Sequence, residues 1–190
     1  MGYQVNIGLS NKHLHLAQTD LEALFGKGHE LTPKKPLVQP GQFASEETVD
    51  LVGPKATIKG LRVLGPVRSE TQIELSMTDA RQIGIKAPIR MSGDLAGTPG
   101  CKLIGPSGEV DLDHGVIIAK RHLHLNPEQA IEAGLKDADV VSIKIQGERA
   151  LTFDNVVVRA GIKHEKEVHL DTDEGNAGGC GPNTTCEVIK

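Results

Sequence analysis

Gly115-Val116-Ile117-Ile118-Ala119-Lys120-Arg121-His122-Leu123-His124-Leu125-Asn126-Pro127-Glu128-Gln129 carries the reading of the fold. The run from Gly115 to Ala119 is β-branched and apolar, which predicts a buried strand. In His122-Leu123-His124 the residues alternate. On a strand the two imidazoles then share one face while Leu123 points the other way. Asn126, Pro127 and Gln129 supply an N-cap, a proline at the first helical position and the N3 glutamine of a capping box. A strand that runs straight into a capped helix holds its last side chains firmly, so His122 and His124 form a fixed pair.

The same grammar recurs along the chain. Ile73-Glu74-Leu75-Ser76 matches Leu123-His124-Leu125-Asn126, with Ser76 as the cap and Asp79 three places on. Each is followed by a short helix that ends at a glycine, Gly84 or Gly134. Leu14-His15-Leu16 followed by Thr19-Asp20-Leu21 is a third, partial copy, although Ala17 offers no side-chain cap. Leu51-Val52-Gly53-Pro54 also returns as Leu103-Ile104-Gly105-Pro106. The unequal intervals point to duplicated β units, not a solenoid.

Further period-two runs predict strands at Gln4 to Leu9, Thr57 to Leu64, Thr71 to Leu75, Val140 to Ile145 and Asn155 to Val158. Helices fit at Thr19 to Phe25, Thr78 to Ile83 and Pro127 to Ala133. The class is mainly β with small helical caps, built as barrels more than as open layers. From Glu30 to Val49 the prolines at 33, 36 and 40 predict a loop or linker, and Gly175 to Thr185 an irregular tail.

Composition narrows the function. The 190 residues carry 21 basic and 25 acidic side chains, a formal charge of -4, with 2% aromatics and no Trp. Neither a cationic stripe nor a stacking platform is available for nucleic acid. No apolar run reaches the ~20 residues of a membrane span, and MGYQVNIGLSNK has no apolar signal centre, so a cytoplasmic protein is expected. Cys101, Cys180 and Cys186 are odd in number and read as free thiols.

The strongest chemical signal is the two His-Leu-His segments, His13-Leu14-His15 and His122-Leu123-His124. Paired imidazoles suit zinc or another transition metal, and their bland alternative is a set of hydrogen-bonded histidines. Glu74, at the position equivalent to His15 and His124, can complete one set, and His169 in Glu167-Val168-His169-Leu170-Asp171 can add a nitrogen to the other. Arg68 and Arg90 sit beside permissive turns and are the candidate anion-binding arginines, because a guanidinium fork matches phosphate oxygens. His29, His114 and His164 have no paired geometry. No Walker loop or dinucleotide fingerprint occurs.

Taken in order, these segments resemble a known family. Val5 to Leu16, Leu31-Thr32, Gln39 to Ala44, Glu47 to Gly53-Pro54, Val63 to Arg68, Glu74-Leu75-Ser76, Ser92-Gly93-Asp94, Gly115 to His124 and His169 to Glu174 are similar to the microcompartment-type phosphate acyltransferases, the phosphotransacylase family of propanediol utilisation. The resemblance implies two interleaved β-barrels capped by short α-helices, with the active site between them. It divides the chain into a first barrel from residues 1–11 and 120–190 and a second from 12–119 with an inserted loop at 30–48. It implies two divalent metals, usually zinc, one on His13, His15 and Glu74 and one on His122, His124 and His169, with Arg68 on phosphate. Arg90 is then assigned to CoA.

The implied reaction is reversible conversion of a short-chain acyl-CoA, acetyl or propanoyl, plus phosphate to acyl phosphate plus CoA. Phosphate would attack the thioester directly. Acyl-CoA, phosphate, CoA and acyl phosphate are the partners, self-association is open, and neither nucleic acid nor membrane is expected. Met77 and Met91 depart from the family's arginine and acidic residue, and the tail after Ala177 with its two cysteines is atypical. Members sent to microcompartments often carry an added N-terminal peptide; here the matching core starts almost at Met1, which favours a free enzyme. The competing readings are a binuclear metal hydrolase of phosphoesters or thioesters and a non-catalytic metal-binding structural component.

Overall fold

The computed structural model describes residues 2–190. In chain order the elements are β1 (Tyr3–Ser10), β2 (His13–His15), α1 (Gln18–Phe25), β3 (Pro33–Pro36), β4 (Phe43–Val52), β5 (Thr57–Gly65), β6 (Gln72–Glu74) and α2 (Met77–Ile83). They continue as β7 (Ile89–Arg90), β8 (Cys101–Ile104), β9 (Glu109–Leu112), β10 (Val116–Ala119), β11 (His122–Leu125), α3 (Pro127–Ala133), β12 (Val140–Ile145), β13 (Leu151–Ala160), β14 (Glu167–Asp171), α4 (Thr172–Ala177) and β15 (Thr185–Ile189). The protein is mainly β, as its sequence predicts. The longest helix has eight residues, and no helix among the described residues is long and apolar enough to cross a membrane.

The chain forms two compact units. One takes the chain up to Ser10, Val38–Pro40 and Lys120–Lys190; the other takes Asn11–Leu37 and Gly41–Ala119. The first is a closed barrel of six strands in the order β1-β14-β11-β13-β12-β15. Closure leaves no free edge, and the inward residues of alternating strands fill the interior. Leu123, Leu125, Val158, Val168 and Ile143 are fully buried there. Because β11 alternates, Leu123 and Leu125 enter this core while His122 and His124 take the other face.

The second unit is a sheet of nine strands whose main path runs β7-β10-β6-β2-β5-β4-β8-β9, with β3 added on β4. Its path does not close, so this unit is a half-barrel, and with the closed barrel it fits the expected pair of interleaved barrels with helical caps. Leu14, Leu51, Val63, Ile73, Leu103 and Val116 form its core at 0% exposure. Where a loop is predicted at 30–48, β3 pairs with the start of β4. The prolines stand at the ends of this edge strand, where a missing N–H costs no ladder bond.

The Gly-Pro echo has a local cause. Lys55 N donates to Ile83 O at 3.0 Å, and Ser107 N donates to Leu24 O at 2.9 Å, so each Gly-Pro turn satisfies a carbonyl at the end of α2 or α1. A Cβ on Gly53 or Gly105 would come within 2.5 Å or 2.4 Å of those same carbonyl oxygens. Both turns belong to one unit and do the same docking task against a helix end.

The helices start as their caps dictate. Ser76 accepts from Asp79 N, and Asn126 with Gln129 closes a full capping box. Asp171 and Glu174 form another and begin α4, in a segment left without a predicted helix. Ala17 has no side chain to cap α1; the Thr71 hydroxyl accepts from Ala17 N at 2.9 Å and donates to Asp20 Oδ2 at 2.5 Å. Thr71 thus bridges the two ends that a capping box would join directly. The expected irregular tail holds over 178–184; its two ends belong to α4 and β15, and β15 closes the barrel between β12 and β1.

Candidate active site

Each of four junctions puts a ligand-type side chain two residues before a helix N-cap. His15 precedes Ala17, Glu74 precedes Ser76, His124 precedes Asn126 and His169 precedes Asp171. Sheet pairing adds the partner. His13 is opposite Glu74 across β2 and β6, and His122 is opposite His169 across β11 and β14. By register, then, Glu74 is the counterpart of His169; the sequence echo had matched it with His124.

Among the described residues two groups could hold a metal: His13, His15 and Glu74, and His122, His124 and His169. In each, one ligand atom per residue lies within 4.8 Å of the others. The first histidine of each pair is oriented alike. His13 Nδ1 lies 2.8 Å from Asn11 O, and His122 Nδ1 lies 2.8 Å from Lys120 O. Donation from Nδ1 leaves Nε2 as the lone-pair nitrogen, the usual device for aiming a metal-binding imidazole.

Burial makes the first set electrostatically sharp. His13 Nε2 is 3.6 Å from Glu74 Oε2. Burial pulls His13 down, but the Glu74 charge and hydrogen bond outweigh it and raise its pKa. Burial pushes Glu74 up, yet His13, then His15 and Arg68, hold its carboxyl well below the usual range. His15 is pushed down to about 3, by burial first and then by Arg68 and His13, so it is a neutral imidazole at pH 7. Its Nδ1 is buried with no hydrogen-bond partner among the described residues. A desolvated neutral nitrogen beside an ionised carboxylate is a donor set that fits a divalent cation.

The second set is imidazole-rich. The rings of His122, His124 and His169 lie 4.6 to 5.0 Å apart by centroid. Burial, then His122 and His169, pushes His124 far below the usual histidine range. Two partners were not foreseen: His164, whose Nδ1 is 2.7 Å from His124 Nδ1, and Glu167, whose Oε2 is 2.6 Å from His169 Nε2. Glu167 sits two residues before His169 on the same strand face, so alternation could have found it; nothing in the local sequence marks His164.

Arg68 and Arg90 have different surroundings. The Arg68 backbone N–H donates to Leu16 O at 2.9 Å, and its Nη1 donates to Ser92 Oγ at 3.0 Å. That anchors Arg68 beside the His13, His15 and Glu74 set, whose pKa values it moves. Arg90 lies in β7 with its guanidinium 3.5 Å from Asp94, half exposed. Arg121, next to His122, turns away to Glu174 at 2.8 Å and over the Phe153 ring. His29 pairs with Glu47 and His114 with Glu70, both apart from the two ligand sets.

The comparisons with known proteins agree with one another. The phosphate propanoyltransferase family model matches residues 6–181. A phosphate propanoyltransferase from Thermotoga maritima is 54% identical over 172 residues, covering 90% of this chain and 82% of that one. Proteins of the same name from Salmonella typhimurium and Clostridioides difficile are 50% and 45% identical, covering 92% and 98% of this chain and 83% and 89% of theirs. A mainly β chain with these matches is an acyltransferase enzyme of the phosphotransacylase class. It belongs to the phosphate propanoyltransferase family, and the matched span contains both ligand sets and Arg68.

Proposed function

We propose that this enzyme transfers the acyl group of propanoyl-CoA, and of acetyl-CoA as a smaller alternative, to inorganic phosphate, reversibly, giving acyl phosphate and CoA. The observation that carries the reading is the buried His13, His15 and Glu74 set with Arg68 anchored beside it. Its relatives' printed names supply the acyl group.

His13, His15 and Glu74 would hold one divalent cation and His122, His124 and His169 a second, zinc by donor type; such ions supply charge neutralisation and polarisation of oxygens. Arg68 meets the phosphate with its planar fork, which neutralises charge and orients one oxygen. That oxygen attacks the thioester carbonyl, and collapse of the tetrahedral adduct expels CoA thiolate. The Arg68 guanidinium also stabilises the charge that develops on the way. Arg90, half exposed, is assigned to the CoA phosphates.

Direct attack fits the cysteines. Burial pushes the Cys101 and Cys186 thiols up to about 12, which leaves them poor nucleophiles.

The test is CoA release from propanoyl-CoA and acetyl-CoA, with and without phosphate and with and without a chelator. Release that requires phosphate, yields acyl phosphate and runs backwards from acyl phosphate plus CoA is expected. Phosphate-independent release of the free acid identifies a hydrolase instead, and chelator-resistant transfer defeats the metal assignment.

A further inference from the structure

One buried amide touches three parts of the Arg68 site. Gln72 is 1% exposed and stands on β6 opposite His15. Its Nε2 donates to Glu74 Oε1 at 2.6 Å and to Ser92 Oγ at 2.9 Å. Its Oε1 accepts the Gly93 backbone N–H at 2.7 Å. Ser92 Oγ is also the acceptor for Arg68 Nη1.

Only an amide satisfies this set. The Gly93 N–H needs an acceptor and the Glu74 carboxylate needs a donor, so the two ends of the Gln72 amide cannot be exchanged. Ser92 and Gly93 lie in a turn after β7, with Gly93 at φ +94°. Side-chain bonds from a strand therefore set where that turn sits. A hydrocarbon at 72 would break all three bonds, and a carboxylate would lose the donation to Glu74 and set a second negative charge against it.

We propose that Gln72 is a positioning residue: its amide aims the Glu74 carboxylate at the metal set and fixes the Ser92–Gly93 turn that orients Arg68. One side chain thereby aligns the metal-binding and phosphate-binding halves of the site. The proposal rests on the phosphotransacylase reading above.

Gln72→Met keeps length and removes every hydrogen bond. Its zinc affinity, measured by competition with a chromogenic chelator, is expected to fall about tenfold or more, and its phosphate KM to rise by a similar factor, the scale for loss of a residue that orients ligands. Ser92→Ala should raise the phosphate KM and leave zinc affinity unchanged. In the double variant the phosphate KM should be no worse than in the worse single variant, because both act through one contact.

Wild-type zinc affinity and wild-type phosphate KM in Gln72→Met overturn the proposal, as do losses that simply multiply in the double variant. Should Gln72→Met fail to fold, Gln72→Asn, uncharged and one methylene short of its partners, is read in the same way. The zinc measurement needs no turnover, so a wild-type protein without phosphate-dependent CoA release sinks the acyltransferase reading and leaves the zinc arm to decide Gln72. A wild-type protein that also binds no zinc ends both.

Discussion

His13 and Glu74 face each other across the antiparallel β2–β6 pair, with Nε2 3.6 Å from Oε2. The β11–β14 pair repeats this register with His122 and His169. One set includes a carboxylate and the other consists of imidazoles, so the two differ in charge while sharing a backbone plan.

The two sets should load independently, because each belongs to its own unit. Metal analysis of zinc-saturated protein is expected to find two ions in the wild type and one in either Glu74→Ala or His124→Ala. Loss of both ions from one substitution, with the fold intact by circular dichroism, contradicts this.

Arg68→Ala should lower kcat/KM for phosphate by about a hundredfold, the scale for loss of one charge-stabilising donor. Arg68→Lys should recover little of it, since an ammonium does not reproduce the fork that also binds Ser92. Initial rates of CoA release at varied phosphate measure both.

The thiols give a pH prediction. With Cys101 and Cys186 held up to about 12 by burial, only roughly one in ten thousand is thiolate at pH 8. Labelling by iodoacetamide should therefore reach the partly exposed Cys180 first. For the other two it should rise about tenfold per pH unit between 7 and 9. Replacing all three cysteines by alanine should preserve turnover; a trapped acyl-cysteine that reacts on with phosphate would defeat direct attack.

Glu47 ties pH to stability. Burial pushes its pKa up, but the backbone N–H groups and His29 outweigh this and lower it. Its oxygens accept from Thr32 N at 3.1 Å and lie 3.0 Å from His29 Nε2. A carboxyl lowered on folding contributes stability above its unfolded pKa, about 4.3, which is lost as pH falls through the folded value. Glu47→Gln should cost about 1–2 kcal/mol at pH 7 and flatten the acid limb of the melting curve. An unchanged limb refutes the assignment.

Local sequence determined a great deal here. Alternation put His122 and His124 on one face and Leu123 in the core, and cap residues fixed where the helices begin. The Asp171 to Glu174 spacing carried the same cap signal for α4, although the glycine-rich stretch after it read as a tail. These features depend on a few neighbouring residues, so a linear reading captures them.

Pairing between distant strands was decided only in three dimensions. It set Glu74 opposite His13 and His169 opposite His122, closed one barrel through β15 and left the other sheet open. It also brought Ser92 to Arg68, Gln72 to the Ser92–Gly93 turn and His164 to His124. Side chains twenty or more residues apart meet through register and burial, and those are properties of the whole sheet, which no short stretch of sequence encodes.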